Sequence, residues 1–295
     1  MAQRSTPADT ARSVGNPKLQ KLRAEKKAQS EQLTLGMWME RWLESQRTGL
    51  KPSTFQSYQR TINNRITGVD GAAGKLKDVP LVHVDRQAVF DWWDGVQEVF
   101  STTEQTNYRA YGFLKSAMAA ALERELITAN PVQIKKASKR PKPKSKELPT
   151  RHELQAIVDH TPRHYQLAAV LCYFHGLRIG EVLGLKRDDV NRDPQTWLWQ
   201  VRVSRNMQRL QDDDGHSYMA EQSTKTEAGK RTVPIFEVFS RYVETHLEEV
   251  YQGGKYLTMT KRGNVLMDTN LRNELDKARR AAGVDKHVTP HRGRD

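Results

Sequence analysis

His175-Gly176-Leu177-Arg178-Ile179-Gly180-Glu181-Val182-Leu183-Gly184-Leu185 is the most informative stretch of this sequence. Gly176 is suited to end one helix, which leaves Arg178 at the start of the next. A helix N-terminus offers unpaired N–H groups and a positive dipole to an anion, and an arginine there can hold phosphate oxygens bidentately. Glu181 lies one helical turn further on and can orient the arginine. The alternative is an Arg178–Glu181 pair that serves the structure alone.

Two later motifs extend this candidate anion site. Thr224-Lys225-Thr226 precedes a predicted turn at Glu227-Ala228-Gly229, and a lysine at a hairpin tip can protonate a leaving oxygen. An exposed hairpin lysine without a chemical role is the alternative. His291-Arg292-Gly293-Arg294 places a histidine and an arginine three residues apart, which a helix would bring to one face. Together the motifs supply two arginines, a lysine and a histidine for one phosphate site.

The overall charge of the chain indicates a polyanionic partner. Its 295 residues are enough for two domains, and they include 48 lysines and arginines against 35 acids, a net charge of +13. Nucleic acid is the usual partner of such a chain, and a basic protein without one is the alternative. The single cysteine, Cys172, excludes an internal disulfide and a cysteine-rich zinc cluster, and its apolar neighbours predict a core position.

The sequence contains no segment typical of secretion or membrane insertion. The first 30 residues lack the apolar region of a signal peptide. No apolar run approaches the roughly 20 residues that a transmembrane helix needs. We therefore expect a soluble protein of the cytoplasm.

Composition and periodicity predict two domains behind a basic arm. Residues 1–32 are polar and basic, which predicts a disordered arm that either contacts DNA or is a solvated tail. Residues 33–134 carry apolar side chains at three- and four-residue steps, which predicts amphipathic helices with the tryptophans and tyrosines in their core. Residues 150–295 form the second domain.

The second domain combines helices with a small antiparallel β-sheet. It begins with a capping box, in which the hydroxyl of Thr150 and the carboxylate of Glu153 satisfy backbone N–H groups at the helix start. Apolar and polar residues alternate over 197–203, and 231–235 reads as a second short strand. The remaining periodic segments predict helices, so the fold class is mainly α with a small antiparallel sheet.

A basic linker, residues 135–149, separates the two predicted domains. Its prolines, Pro141 and Pro143, favour an extended chain, and residues 135 to 146 include no acid. A segment that follows a DNA phosphate backbone is the functional interpretation, and a solvated linker is the alternative. The predicted DNA-binding residues are Lys135, Lys136, Lys139, Arg140, Lys142, Lys144 and Lys146.

The ordered set of motifs resembles the tyrosine recombinase family, of the phage-integrase type. In that family the first arginine lies in a G-L-R-x-x-E-x-x-x-L segment, matched here by Gly176, Leu177, Arg178, Glu181 and Leu185. A hairpin lysine follows, matched by Lys225, and then H-x-x-R, matched by His291 and Arg294. The helical segment ending in Asn130-Pro131-Val132 is similar to the core-site-binding domain of these enzymes. The resemblance covers about residues 33 to 295.

The resemblance implies a chemistry for each matched residue. A tyrosine attacks a DNA phosphodiester and forms a 3′-phosphotyrosyl link, with no metal and no cofactor. Arg178 and Arg294 would neutralise charge on the pentacoordinate phosphorane. Lys225 would be the general acid for the 5′-oxygen, and His291 would assist proton transfer or hydrogen-bond the phosphate. Glu181 would position Arg178.

The resemblance also implies an architecture and partners. We expect a two-domain DNA clamp, with a helical core-binding domain and an α+β catalytic domain. The DNA partners are attachment sites in duplex DNA, where the complete protein would form a homotetramer and recombine sites during integration of a phage or mobile element. Accessory DNA-bending or directionality proteins are further expected partners. For the chain itself we expect a monomer.

One family feature is absent from these 295 residues. In the family a second histidine or tryptophan and then the nucleophilic tyrosine follow H-x-x-R, whereas no residue follows Asp295. Tyr242, Tyr251 and Tyr256 precede the motif and are poor candidates. We therefore expect that the chain does not cleave DNA by itself. A truncation, a gene fragment or a natural short product would each account for the missing tyrosine.

Two other functions fit part of the pattern. A non-catalytic DNA-binding protein derived from an integrase would keep the basic surfaces and lose cleavage. A type IB topoisomerase-like enzyme would use a similar set of catalytic arginine, lysine and histidine residues. The separate helical domain and the short hairpin disfavour the topoisomerase.

Overall fold

The computed structural model describes residues 32–68, 73–142, 147–212, 214–223 and 229–290. The chain divides into two compact units, Met1–Pro143 and Lys144–Asp295. Across the described ranges, no helix is long and apolar enough to cross a membrane. The basic arm predicted over residues 1–32 lies outside the described residues except for its last position.

Helices make up the first unit, as the periodicity predicted. The helices are α1 (Leu35–Ser45), α2 (Pro52–Ile62), α3 (Arg86–Val99) and α4 (Glu104–Glu123). Side-chain caps define two of the starts. The hydroxyl of Thr34 accepts from Met37 N at 3.3 Å, and the carboxylate of Asp85 accepts from Ala88 N at 2.8 Å.

Several aromatic residues of the first unit lie in its core, where the helical spacing predicted them. Trp38 and Trp92 are buried, and their indole N–H groups donate to the backbone oxygens of Ala117 and Arg65, both at 2.8 Å. Tyr111 is also buried. Because the indole N–H groups of Trp38 and Trp92 each have a partner, these two rings contribute apolar area without an unpaired polar group.

The start of the predicted linker packs on this unit. The backbone N–H of Ile134 donates to the Tyr111 hydroxyl at 2.6 Å, and Ala137 is buried. A turn follows, with Ser138 N donating to Ile134 O at 3.1 Å. The chain from 134 to 138 is therefore a turn held by the first core, although its composition predicted an extended segment.

The second unit combines helices with two small antiparallel sheets, which confirms the predicted fold class. Its helices are α5 (Arg151–His160), α6 (Arg163–Tyr173), α7 (Ile179–Leu183), α8 (Ser240–Thr245) and α9 (Asp268–Ala281). Its strands are β1 (Val190–Arg192), β2 (Trp199–Val203), β3 (Arg205–Gln211), β4 (Ser217–Ser223) and β5 (Arg231–Pro234). One sheet has the order β1-β2-β5, and β3 pairs with β4. Strands β2 and β5 occupy the two stretches that the sequence predicted. The predicted hairpin around Lys225 is wrong, because β5 pairs with β2 whereas β4, the strand before the lysine, pairs with β3.

Three glycines place the start of α7. Gly176 lies three positions after the end of α6 and has φ of +64°, a conformation that favours glycine. A Cβ on Gly180 would overlap Asn206 Oδ1 and the Met207 carbonyl of β3. A Cβ on Gly184 would lie 3.1 Å from Arg205 Cγ. The glycines therefore let β3 pack directly against the helix that follows Arg178.

Candidate functional site

Arg178 lies immediately before α7, and Glu181 in the first turn of that helix binds it. Its backbone is extended, with φ of −71° and ψ of 147°. The backbone N–H donates to Glu181 Oε2 at 2.9 Å, and Nη1 donates to Glu181 Oε1 at 2.8 Å. The arginine side chain remains 51% exposed, whereas that of Glu181 is 3% exposed. A buried carboxylate thus orients a half-exposed guanidinium, as the sequence predicted.

A second arginine shares the same carboxylate. Arg231, the first residue of β5, donates from Nη2 to Glu181 Oε2 at 2.8 Å and from Nη1 to Oε1 at 3.2 Å. Two cations and one anion leave a net positive charge, and Arg178 is the more exposed of the two arginines. The cluster is therefore an electropositive group with its charge facing solvent.

The pKa shifts of Glu181 and Arg231 favour the ionised form of both side chains. Burial raises the pKa of Glu181, but hydrogen bonds from Arg231 and Arg178 outweigh burial, so the pKa lies below its ordinary value. The hydrogen bond to Glu181 raises the pKa of Arg231. The sequence did not predict a role for Arg231, because 50 positions separate it from Glu181 and no local pattern joins them.

His175, at the start of the motif, has a structural position. Its Nε2 accepts the backbone N–H of Phe236 at 3.1 Å, and its Nδ1 lies 3.3 Å from Val170 O. These partners fix a neutral tautomer with the proton on Nδ1. Burial lowers the pKa of His175, despite the opposing hydrogen bond to Val170. The ring therefore joins α6 to the segment after β5 as a neutral group.

The other three predicted catalytic residues, Lys225, His291 and Arg294, lie outside the described residues. The described chain leads to each of them. Strand β4 ends at Ser223, two positions before the lysine, and the chain is buried at Pro290, directly before the histidine. Their convergence with Arg178 stays a prediction.

The basic side chains in the described part of the linker are exposed. Its residues Lys135, Lys136, Lys139, Arg140 and Lys142 all have exposed side chains. Among the residues that the structure describes, none of these five takes part in an ion pair with an acid. Lys144 and Lys146 lie outside the described residues. The exposed cations are available to a polyanion.

Three tyrosines that precede H-x-x-R, namely Tyr242, Tyr251 and Tyr256, have hydroxyls engaged within the second unit. Tyr256 is 2% exposed and donates to Glu221 Oε2 at 3.1 Å. Tyr242 donates to Asp159 Oδ1 at 3.3 Å, and Tyr251 donates to Gly254 O at 2.9 Å. These contacts agree with their sequence-based rating as poor nucleophiles.

One group of metal-ligand side chains occurs in the turn between β3 and β4. Within the described ranges, three such residues approach one another only at Asp212, Asp214 and His216, all of them exposed. Asp212 Oδ1 already accepts the backbone N–H of His216 at 2.8 Å, so the carboxylate serves the turn. Nothing else at this turn indicates an ion.

Both units match families of known proteins. The profile described as phage integrase family matches residues 149–295, and the profile described as phage integrase, N-terminal SAM-like domain, matches residues 34–68. The integrase of Mycobacterium phage FRAT1 is 26% identical over 257 residues, which cover 86% of this chain and 71% of that relative. The chain spans between 61% and 64% of the length of the further curated relatives that it matches.

Solved structures share the fold. The Tn1549 transposon integrase in complex with a circular-intermediate DNA matches with a TM-score of 0.69 and 19% identity, over 89% of this chain and 84% of that one. A lambda integrase tetramer bound to a Holliday junction matches with a TM-score of 0.64 and 17% identity, over 97% of this chain and 76% of that one. With the two matching profiles and the relatives, the motif-based prediction is confirmed: the chain belongs to the phage integrase family of tyrosine recombinases, which act on DNA.

Proposed function

We propose that this protein carries out site-specific recombination between duplex DNA attachment sites, as the integrase of a phage or another mobile element. The observation that carries the proposal is the Arg178–Glu181–Arg231 cluster. The buried carboxylate of Glu181 holds the half-exposed Arg178. Because Arg231 also pairs with this carboxylate, the three side chains together keep a net positive charge. Such a fixed cation can stabilise the negative charge that develops on a phosphate during strand cleavage.

The chemistry assigns a role to each motif. A tyrosine beyond Arg294 attacks the phosphodiester and leaves a 3′-phosphotyrosyl bond, while the 5′-oxygen departs. Arg178 and Arg294 stabilise the phosphorane, Lys225 protonates the 5′-oxygen, and His291 hydrogen-bonds the phosphate or assists proton transfer. The expectation that residues 1–295 alone do not cleave DNA stays a prediction.

DNA binding and assembly form the second part of the proposal. The cations of the linker, Lys144 and Lys146 included, contact the phosphate backbone, and both units contact the same duplex. The complete protein forms a homotetramer on DNA with accessory DNA-bending or directionality proteins, whereas residues 1–295 are a monomer. The site of action is the cytoplasm, on the DNA.

A comparison of cleavage with binding tests the proposal. The assay uses a form of the protein that carries a tyrosine after Arg294, here called the tyrosine-bearing form, and a nicked half-site that traps the covalent adduct. We expect Arg178→Ala to lower the cleavage rate by about 10²- to 10³-fold, because a fixed donor to the transition state is removed. DNA affinity should change far less.

A surface arginine provides the control. Arg280 on α9 is exposed and paired with Asp276 of the same helix, and Arg280→Ala should leave cleavage unchanged. Equal losses of cleavage and binding in Arg178→Ala would identify Arg178 as an ordinary DNA contact. That result would favour the alternative function, a non-catalytic DNA-binding protein derived from an integrase.

A further inference from the structure

Arg231 has a fixed position in the second unit. Its backbone pairs with Val203 of β2, and two positions later Val233 pairs with Val201. Val201 and Val203 are fully buried, so the register of β5 against β2 is determined by the core. The Arg231 side chain leaves this strand and meets Glu181 with two hydrogen bonds.

The contact limits how strongly Glu181 can bind Arg178. Each carboxylate oxygen accepts from both arginines: Oε1 from Nη1 of Arg178 and Nη1 of Arg231, and Oε2 from the Arg178 backbone and Nη2 of Arg231. Glu181 receives one guanidinium bond from Arg178 and two from Arg231. Because a guanidinium has five N–H donors, the single bond leaves most donors of Arg178 without a partner among the residues that the structure describes.

We propose that Arg231 is a positioning residue for strand cleavage: it occupies Glu181 so that the guanidinium of Arg178 keeps its charge and its free donors for the scissile phosphate. The proposal rests on the recombinase function proposed above. It assigns no contact between Arg231 and DNA. Arg231 acts through Glu181 and Arg178.

The consequence of removing Arg231 follows from the burial of Glu181. The carboxylate, 3% exposed, would keep Arg178 as its remaining arginine partner in this cluster. A buried charge without sufficient partners is costly, so Glu181 would draw the Arg178 guanidinium into a bidentate pair. The net charge of the cluster would fall from one positive charge to zero, and the guanidinium would turn away from the phosphate.

The experiment measures cleavage and binding separately in the tyrosine-bearing form. Single-turnover cleavage of the half-site is measured at saturating DNA, and the Kd and the Tm are measured for each variant. We expect Arg231→Ala to lower the cleavage rate by about 10- to 100-fold, since a misplacement of about 1 Å can have an effect of this size. The Kd should change by less than about threefold, because Arg231 is assigned no contact with DNA and substitutions away from a contact have small effects.

A matched control separates positioning from general loss of an ion pair. Arg202 on β2 lies opposite Thr232 and pairs at 3.5 Å with Asp189, a carboxylate that is 1% exposed. Arg202→Ala therefore removes an arginine from a buried acid in the same sheet without touching Glu181. We expect this variant to cleave at nearly the unsubstituted rate when DNA is saturating.

The conservative variant Arg231→Lys keeps the charge and loses the two-pronged geometry. We expect it to fold and to recover part of the cleavage rate at an unchanged Kd. If Arg231→Ala does not fold, a lowered rate in Arg231→Lys supports the proposal, and an unsubstituted rate overturns it.

The outcomes distinguish this inference from the function on which it rests. An unsubstituted cleavage rate in Arg231→Ala, with a large loss in Arg178→Ala, overturns the positioning role and leaves the recombinase function standing. A loss that parallels the falls in Tm and in DNA binding assigns Arg231 to structure alone and also overturns it. Unchanged cleavage in Arg178→Ala would overturn the proposed function itself.

Discussion

Lys286 and Glu153 lie 133 positions apart in the chain, yet Lys286 Nζ donates to Glu153 Oε2 at 3.1 Å. The same carboxylate oxygen accepts from Thr150 N at 2.6 Å and so closes the capping box of α5. Lys286 also pairs with Glu147 at 3.0 Å. One lysine therefore ties the first residues of the second unit to the segment that leads to His291.

Replacement of this lysine tests its structural role. We expect Lys286→Met to lower the Tm of the second unit by a few degrees, because two carboxylates lose a partner. Lys277→Met is the control, since Lys277 pairs with Glu274 within one exposed helix turn. Calorimetry of residues 1–295 measures both variants. Equal Tm values for Lys286→Met and Lys277→Met would contradict the role.

Local signals predicted much of the fold. The capping box at Thr150 and the helical spacing after Leu35 depend on residues within a turn or two, and the structure confirms both. Strand β3 was not predicted, because its buried residues Met207 and Leu210 are three apart and give no alternation. A two-stranded hairpin with many polar side chains, such as β3–β4, lacks the alternation of apolar and polar residues from which strands are predicted.

The site was only partly predictable for a related reason. Motif order identified Arg178 and Glu181, which are neighbours on one helix turn. The Arg231–Glu181 contact depends on where β5 places Arg231 relative to α7, and the Lys286–Glu153 contact depends on the path of the chain after α9. Such contacts arise from packing between distant elements, so residue spacing alone does not reveal them.

The proposed active site requires that Arg178 and His291 lie close together. We expect a short bis-maleimide to cross-link Arg178→Cys to His291→Cys within one molecule. The native Cys172 should not compete, because burial raises its pKa to about 12 and the thiolate is the reactive form. Arg280→Cys paired with His291→Cys is the comparison. Mass spectrometry that finds equal yields for both pairs would count against convergence.

The glycine beneath the site should not tolerate a methyl group. We expect Gly180→Ala to destabilise the second unit by about 1–3 kcal/mol, because the new Cβ overlaps a backbone carbonyl of β3. Gly112 lies on the exposed side of α4, where a Cβ would have no neighbouring atom within 4 Å. Gly112→Ala should stabilise the first unit by about 0.5–1 kcal/mol. Chemical denaturation measures both, and a neutral Gly180→Ala would refute the close packing.

The linker cations should govern the salt dependence of DNA binding. We expect glutamine at all five described linker cations (Lys135, Lys136, Lys139, Arg140, Lys142) to weaken binding of duplex DNA. The slope of log Kd against log salt should fall by about 0.9 for each phosphate that is no longer neutralised. The control is a double variant of α9, Lys277→Gln with Arg280→Gln. It makes the same kind of substitution at cations that are already paired with acids. Identical slopes for the two sets would assign the linker to solvent.

Two buried histidines should make the second unit sensitive to mild acid. Burial is the largest cause that lowers the pKa of both His175 and His246. Below the ordinary histidine pKa of about 6.5, the unfolded chain takes up protons that the folded chain does not. The free energy of unfolding should therefore be highest above this pH and fall as the pH drops toward the lowered folded values.

A variant of one histidine separates this effect from other acid effects. His246 is buried, with Nε2 2.9 Å from Leu257 O and no partner for Nδ1 among the described residues. We expect His246→Gln to be less stable at pH 8 but to lose less stability between pH 8 and pH 5.5, because glutamine does not titrate. His216→Gln is the control, since the His216 side chain is 82% exposed. Denaturant titrations at both pH values measure the difference, and a pH dependence unchanged by His246→Gln would show that this histidine contributes nothing to it.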